Sequence, residues 1–255
     1  MTAAPARRAL ITGAANGLGE ALTGALTAAG WQVVAVDRED PAETPGEGVI
    51  PVTCDLSDRG AVDALLADLA HQPGFDLVIL NAAVSATGKF ETIPLTVHHQ
   101  LIRLNTETPM VMAAGHAAMG KLNANGHLTF ISSLSHFTGY PGGASYAATK
   151  DAIAVYARSI RKPFAKRGIS VSCVFPGPMR TAQADRHSPA GADAQKRMTP
   201  QEAANHVLKG IFSGKAKIIP GNGPKLFAFF GRLAPWASDR AMRKIIHEKL
   251  DRDVY

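Results

Sequence analysis

A tyrosine and a lysine that could cooperate in proton transfer stand four residues apart in the stretch SYAATK. Tyr146 and Lys150 are one turn apart in a segment whose pattern predicts a helix, so their side chains would share one face. A phenol titrates near pH ~10, which is too high for a good general base at neutral pH. A nearby opposite charge lowers the pKa of an acid by about 1–3 units, so the pair predicts a phenol tuned for proton transfer. The alternative is a surface tyrosine beside a solvated lysine.

A glycine-rich loop near the start of the sequence is typical of a phosphate site. The stretch TGAANGLG follows a predicted strand and enters a predicted helix at about Leu18. Gly13, Gly17 and Gly19 let the backbone approach a pyrophosphate, and the helix N-terminus offers it unpaired N–H groups. Asn16 adds no positive charge there. Glycine spacing alone is a weak signal, but its place between the first strand and the first helix predicts a dinucleotide site.

An acidic residue at the end of the second predicted strand bears on which dinucleotide binds. Asp37 lies 18 residues after Gly19, near the usual distance of the acid that holds the ribose hydroxyls. A carboxylate at this point repels a 2′-phosphate and favours NAD over NADP. Arg38 follows directly, and its guanidinium could stack on adenine or accept a 2′-phosphate. We therefore expect NAD as the cofactor, with NADP left open.

Short apolar runs alternate with longer helical patterns through most of the chain. The predicted strands are residues 9–12, 32–36, 49–53, 76–80, 127–131, 170–175 and 217–220. The predicted helices are residues 18–29, 58–71, 97–120, 146–166 and 200–213. Several strands are apolar on both faces, and the alternation predicts right-handed β-α-β crossovers. We expect an α/β fold with a doubly wound, Rossmann-like parallel sheet of about seven strands, helices on both faces, and a single domain over residues 1–255.

Composition and charge argue against several classes of function. Phe, Trp and Tyr make up 6% of the residues, too few for a surface that stacks on single-stranded nucleic acid. The net charge of +6 fits a pocket for an anionic cofactor. Cys54 and Cys173 lie far apart, and the absence of Cys-x-x-Cys and His-x-x-x-His spacing predicts no metal site. We expect a cytoplasmic protein with no secretory signal, no membrane-spanning segment and no nucleic-acid or membrane partner.

Together the two motifs resemble those of the short-chain dehydrogenase/reductase family in its compact, single-domain form. TGAANGLG resembles the family's T-G-x-x-x-G-x-G and YAATK its Y-x-x-x-K, and the resemblance runs from about residue 7 to about residue 220. It implies an alcohol dehydrogenase or carbonyl reductase that moves a hydride between a nicotinamide cofactor and a secondary alcohol or ketone. Tyr146 would be the general acid/base, and Lys150 would lower its pKa and bind the nicotinamide ribose.

The resemblance implies two further catalytic residues. Ser133 lies 13 residues before Tyr146, which is the family's spacing for the serine that holds the substrate oxygen. Asn105, in RLNTE, matches the asparagine that holds a water for proton relay. Taken singly, Ser133 is also a plausible turn former at a strand end, and Asn105 could bridge buried backbone groups.

The resemblance also implies contacts with the cofactor. Asp55 in CDLSD would bind the adenine amino group, and Thr181 in FPGPMRT would bond the nicotinamide carboxamide, although Thr181 could instead be a helix cap. Asn81 opens NAAV at the end of the fourth strand, where Ala83 replaces the glycine that is usual in the family. Asn81 could instead bridge buried backbone groups. The remaining positions assigned to the cofactor in this way are Leu56, Ala82, Pro176, Gly177 and Met179.

Assembly and turnover each leave an alternative open. Small residues along the predicted helix 146–166 permit close helix packing, and many family members pair this helix across an interface, so we expect a homodimer or homotetramer. The alternative is that these small residues pack on the sheet; they are Ala147, Ala148, Ala152, Ala154 and Ala157.

A regulator that senses the cofactor without turnover is the competing function, but it has no need of a tuned phenol.

Residues 221–255 depart from the alternation and are expected to form a helical extension of the same domain. The stretch KLFAFFGRLAPW is rich in aromatic residues, and a helix capped near Ser238 is predicted after it. Its apolar face would carry Met242, Ile245, Ile246 and Leu250. One interpretation is a basic amphipathic helix on a membrane surface, acting on lipid-like substrates. We prefer a cap packed beside residues 182–199 near the substrate entrance, which favours a bulky, partly hydrophobic substrate.

Overall fold

The strands form one sheet in which every pair is parallel. The computed structural model describes residues 6–39, 47–188, 193–245, 248 and 253–255. The strands are β1 (Arg8–Thr12), β2 (Gln32–Asp37), β3 (Val49–Thr53), β4 (Phe75–Leu80), β5 (Leu122–Ile131), β6 (Ser170–Val174) and β7 (Lys217–Ile218). Their order across the sheet is β3-β2-β1-β4-β5-β6-β7. The chain therefore winds outward from β1 in one direction and from β4 in the other, as predicted.

Helices cover both faces of this sheet. They are α1 (Gly17–Ala28), α2 (Arg59–Ala70), α3 (Leu95–Ile102), α4 (Thr108–Ala118), α5 (Ser135–Thr138), α6 (Ala144–Ala165), α7 (Ala182–Arg186), α8 (Pro200–Phe212), α9 (Asn222–Leu233) and α10 (Pro235–Ile245). Apolar residues of α2, α4 and α6 form one buried cluster with the sheet, and those of α1 and α8 form the other. Alternate residues of a strand point to opposite faces, so β1 sends Leu10 into the first cluster and Ile11 into the second. The expected doubly wound α/β fold is confirmed.

The predicted helix 97–120 is interrupted. It consists of α3 and α4 joined by a π-helical turn over Arg103–Glu107. Such a turn inserts one extra residue and is frequent at functional sites. Asn105, one of the predicted catalytic residues, lies inside it.

The extension after residue 220 is helical, but its boundaries differ from the prediction. Two helices occur there, α9 and α10, and α10 begins at Pro235 rather than near Ser238. The predicted cap at Ser238 is wrong, because this residue lies inside α10 and its hydroxyl donates to the carbonyl of Thr138 at 3.4 Å. Ile246 and Leu250 of the predicted apolar face lie outside the described residues.

Among the helices described, none has the length and apolar character that a membrane crossing requires.

Candidate active site

Tyr146 lies in the first turn of α6, facing the loop that follows β5. Ser133 occupies this loop, two residues beyond the last residue of β5. Burial raises the pKa of Tyr146, and a side-chain hydrogen bond with Ser133 partly opposes that rise. The phenol therefore stays protonated at neutral pH, as an ordinary tyrosine does, and has a proton to donate.

Lys150 lies one turn along α6 and is almost fully buried, with 3% of its surface exposed. Its ammonium donates a hydrogen bond to the carbonyl of Ile131 at 3.0 Å, and Nζ lies 5.9 Å from the centre of the Tyr146 ring. Burial lowers the pKa of Lys150 to about 8. Burial is the main influence on the pKa of Tyr146 here, and the predicted lowering of that pKa by Lys150 stays a prediction.

Asn105 holds the loop after β4 against α6. Its Oδ1 accepts from the amide of Val84 at 2.9 Å, and its Nδ2 donates to the carbonyl of Val84 at 2.9 Å and to Thr149 Oγ1 at 3.1 Å. Thr149 in turn donates to the carbonyl of Tyr146 at 2.7 Å. The side chain of Asn105 thus bridges backbone groups, the second of the two roles that the sequence left open, and it ties the π-helical turn to the turn that carries Tyr146.

The glycine-rich loop packs so closely that side chains would not fit. A Cβ placed on Gly19 would lie 1.8 Å from the carbonyl oxygen of Gly13, and Gly13 and Gly17 have φ values of +66° and +58°, which favour glycine. α1 begins at Gly17, and Leu18 is buried beneath it. Asn16, the residue before α1, makes no side-chain cap and donates instead to Glu39 Oε2 at 2.9 Å. The N–H groups of the first turn therefore face the loop without a side-chain cap, as an anion site requires.

Asn81 braces this loop from the end of β4. Its Nδ2 donates to the carbonyls of Thr12 and Gly13 at 3.0 and 2.9 Å. The hydroxyl of Thr12 accepts from the amides of Asn81 and Ala82 at 2.9 and 3.1 Å. Ala83 follows and is half-buried. The side chain of Asn81 therefore bridges backbone groups, which is the alternative that the sequence left open. Thr12 is a supporting residue that the sequence analysis did not single out.

Two carboxylates stand where β2 ends. Asp37 Oδ2 accepts from the amide of Ala15 in the glycine-rich loop at 2.9 Å. Glu39, which the sequence analysis missed, lies beside it and pairs loosely with Arg38 at 3.9 Å. The side chain of Arg38 is mostly exposed. Negative charge therefore predominates at this corner of the loop.

Asp55 and Leu56 follow β3 and point in different directions. Asp55 is exposed, and its Oδ1 accepts from the amide and the hydroxyl of Ser57 at 2.9 and 2.7 Å. These hydrogen bonds lower the pKa of Asp55. Leu56 is buried in the core, and its carbonyl accepts from Thr108 at 2.7 Å.

Thr181 lies across the loop from the glycine-rich turn. Its methyl group would be 3.2 Å from a Cβ on Gly17, so the two segments approach closely. Its Oγ1 accepts from the amide of Ala184 at 3.1 Å and caps α7. The capping role that the sequence left open is therefore present, and it places the threonine beside the N-terminus of α1.

Three further residues of the predicted cofactor set, Pro176, Gly177 and Met179, lie between β6 and Thr181. The carbonyl of Pro176 accepts from the amide of Leu134, next to Ser133, at 2.9 Å. Gly177 lies against Pro224 of α9. Met179 packs on the core beneath α1 and α8.

Residues that the sequence analysis missed close the site near Tyr146. The ring of Tyr140 lies 6.2 Å from that of Tyr146 in an edge-on arrangement. His187, just after α7, accepts from Tyr140 through its carbonyl at 3.5 Å, and its Nδ1 lies 3.0 Å from Thr87 Oγ1. Thr87 and Val254 exchange two backbone hydrogen bonds of 2.8 Å. No local pattern could have revealed these contacts, because they join segments that are distant in sequence.

Comparison with known proteins agrees with this geometry. The family model described as short chain dehydrogenase matches residues 7–190, well over half of the chain. The chain belongs to the short-chain dehydrogenase family. A relative of this family of oxidoreductases, an uncharacterized oxidoreductase from Myxococcus xanthus, is 29% identical over 222 residues, which cover 83% of this chain and 86% of the relative.

Solved structures share the fold of this short-chain dehydrogenase at low sequence identity. A family member from Burkholderia phymatum in complex with NAD has a TM-score of 0.78 at 18% identity and covers 94% of this chain and 97% of its own. A family member from Sphingobium yanoikuyae in complex with NADPH has a TM-score of 0.75 at 24% identity, covering 91% of this chain and 96% of its own. These likenesses establish the architecture, and the two neighbours differ in the cofactor they hold.

Proposed function

We propose that the protein is a nicotinamide-dependent oxidoreductase that interconverts a secondary alcohol and a ketone. The observation that carries this proposal is that Ser133, Tyr146 and Lys150 lie together at the edge of the sheet where the parallel strands end, the edge that also carries the glycine-rich loop. Ligands of open α/β sheets bind in the crevice at this edge. Membership of the short-chain dehydrogenase family supports the same reaction class.

The residues of the glycine-rich loop fit a dinucleotide. The contact of Gly19 with the carbonyl of Gly13 leaves no room for a side chain, and the first turn of α1 presents backbone N–H groups at the same point. When bound, the nicotinamide would supply the hydride acceptor or donor. Thr181 and Lys150 would hold its carboxamide and ribose, as their positions on either side of the site favour.

Tyr146 would donate a proton to the ketone oxygen in the reductive direction. Its raised pKa keeps the phenol protonated at neutral pH, and a positioned acid of this kind contributes about 10²–10⁴ in rate. Ser133 would hold the same oxygen through a hydrogen bond as negative charge develops on it. Asn105 would serve the proton path indirectly, because it holds the backbone of Tyr146 in place through Thr149.

NAD is the cofactor that the charges at the end of β2 favour. A 2′-phosphate would meet Asp37 and Glu39, whereas among the residues described at the end of β2 the exposed Arg38 alone could attract it. We expect wild-type protein to bind NAD more tightly than NADP, and Asp37→Ala to narrow the difference, as measured by fluorescence titration with each reduced cofactor. A wild-type preference for NADP of about tenfold, or ~1.4 kcal/mol, would show that Arg38 dominates.

The wall beside Tyr146 favours a bulky, partly hydrophobic substrate. Tyr146 packs against a small apolar cluster that also contains Ala86, Ile93 and Leu101. Apolar walls with a few convergent polar groups are typical of small-molecule sites.

A homodimer or homotetramer is part of the proposal. Ala148 and Val155 lie exposed on one side of α6, whereas Ala154 and Ala157 are buried on the sheet. Part of the small-residue stripe therefore packs internally, and the exposed part remains open to a second copy. A clean monomer in sedimentation velocity at micromolar concentration would contradict this assembly.

The reaction itself is tested by a panel of alcohols and ketones assayed with both cofactors, following the absorbance of the reduced nicotinamide. We expect turnover with bulky secondary alcohols or ketones and little with small ones. Tight binding of cofactor without turnover on any member of a broad panel would favour the sensor alternative.

A further inference from the structure

The helix α9 turns its apolar side outward. Its buried contacts are made by Pro224, Ala228 and Gly231, which are spaced four and three residues apart and so lie on one face. The opposite face carries larger apolar side chains that are between 57% and 66% exposed. We call this face the outer stripe: Leu226, Phe229, Phe230 and Leu233. An amphipathic helix of a globular protein normally has the reverse orientation.

Close contacts fix this orientation. A Cβ on Gly231 would lie 2.4 Å from the carbonyl oxygen of Phe137 in α5, so the helix approaches α5 more closely than any larger residue would allow. Pro224 lies against Gly177 at the other end of the helix. Rotating α9 to bury the outer stripe would drive phenylalanine and leucine side chains into these contacts. The exposed stripe is therefore a consequence of small residues on the inner face.

The next helix extends the same surface with a tryptophan and basic residues. Trp236 is 75% exposed, and Arg240 and Arg243 follow it at four and seven residues on the same face of α10. Residues 222–245 contain five basic residues and one acidic residue, Asp239. Lys225 and Arg232, seven residues apart, form a row along one flank of the outer stripe. Exposed apolar and aromatic side chains are thus bordered by positive charge.

We propose that α9 and α10 form a peripheral anchor that lies flat on an anionic phospholipid bilayer. The outer stripe and Trp236 would enter the boundary between headgroups and acyl chains, and the arginine and lysine side chains would contact lipid phosphates. Interfacial helices combine these residue types in this way, and each basic side chain near an anionic surface adds to binding.

The charge distribution favours lipid over a second copy of the chain. In a two-fold contact the same patch meets itself, so the five basic residues of one copy would face those of the other. Like charges brought together in an interface oppose association. A bilayer with anionic headgroups offers the complementary charge, and its apolar interior accepts the outer stripe.

Vesicle flotation tests the proposal independently of turnover. Full-length protein is floated with phosphatidylcholine vesicles with and without phosphatidylglycerol. We expect binding to the anionic vesicles only, and the double variant Phe229→Ser/Phe230→Ser to bind at least about tenfold more weakly. Arg240→Gln/Arg243→Gln removes two charges and should weaken binding by roughly 25-fold at low salt. The matched control is Phe90→Ser/Leu95→Ser, since these side chains are 74% and 78% exposed elsewhere on the surface, and it should bind like the wild type.

Tryptophan quenching reports the depth of the anchor. The chain has two tryptophans, and Trp31 is only 7% exposed. Brominated phosphatidylcholine in the anionic vesicles should therefore quench Trp236 alone, and Trp236→Phe should lose the quenching.

Three results would overturn the proposal. They are no binding of wild-type protein to anionic vesicles, equal binding by the Phe229→Ser/Phe230→Ser variant, and sedimentation in which the wild type self-associates through this face while that variant does not. The last result would assign the surface to a second copy of the chain.

Discussion

The buried ammonium of Lys150 should make the stability of the protein depend on pH in a predictable way. Its pKa is about 8 in the folded state against 10.5 for an ordinary lysine. Between these values the unfolded chain binds more protons than the folded one, so the free energy of unfolding rises with pH. Burial of Lys150 therefore costs the folded state about 3 kcal/mol at pH 7, where the ammonium stays charged, and about 1 kcal/mol at pH 10, where it has lost its proton.

Replacing the residue isolates this contribution. In Lys150→Met, the change in packing and the loss of the hydrogen bond to Ile131 alter the free energy of unfolding by an amount that does not vary with pH. The wild type should therefore gain about 2–2.5 kcal/mol relative to the variant between pH 7 and pH 10. Urea unfolding of the cofactor-free proteins, followed by circular dichroism at intervals of pH, measures the difference.

A surface lysine on the same helix provides the control. Lys162 is exposed on α6, and Lys162→Met should show a difference from the wild type that stays level across the range. A level difference for Lys150→Met as well would refute the reasoning, because the ammonium would then be as well solvated in the folded state as in the unfolded chain.

Two further predictions concern the glycine-rich loop and the core. Gly19→Ala should destabilise the protein by several kcal/mol and abolish cofactor binding, since its Cβ would lie 1.8 Å from the carbonyl of Gly13. Gly24→Ala in the same helix meets nothing within 4 Å, so it should raise stability by about 0.5–1 kcal/mol. Thermal unfolding should show this gain, and cofactor titration should show unchanged affinity. His116 is fully buried, and burial lowers its pKa to about 4 from 6.5. Burial makes protonation of His116 unfavourable in the folded state, so the free energy of unfolding should fall by about 3 kcal/mol as the pH falls from 6.5 to 4. His116→Met removes this group, so its stability should fall by about 3 kcal/mol less in acid unfolding. An equal fall in stability for the two proteins would contradict this prediction.

Much of the fold could be predicted because its signals are local. Apolar runs such as QVVAV mark β2, and the loop from Gly13 to Gly19 marks the first crossover. The predicted strand and helix positions agree with the structure to within a few residues, except that β5 begins five residues before its predicted start and the predicted helix 97–120 is interrupted. The interruption at the π-helical turn had no sequence signal, since residues 103–107 fit a regular helical pattern equally well.

The site was harder to predict because its polar groups are satisfied by distant partners. Spacing identified Tyr146 and Lys150 but could not show that the ammonium is directed to the carbonyl of Ile131. Glu39 and His187 act through contacts with segments far away in sequence. A pattern of residue types indicates which groups can meet, whereas burial and competing hydrogen bonds decide their pKa values.

The C-terminal extension, residues 221–255, was also hard to predict because its orientation depends on contacts with distant segments. Its aromatic residues were expected to pack near the substrate entrance, yet Phe229 and Phe230 lie outward because Gly231 must face α5. Helical periodicity predicts two faces but does not say which of them meets the protein when one is apolar and the other is made of small residues.

The measurement that tests the central claim most directly is the steady-state turnover of Tyr146→Phe in ketone reduction, with cofactor affinity determined on the same preparation. The variant retains the ring that packs beside Leu101 and loses only the hydroxyl. We expect an unchanged fold and cofactor affinity with kcat lowered by about 10²–10⁴. A variant that keeps about half of the wild-type turnover would contradict the assignment of Tyr146 as the general acid/base.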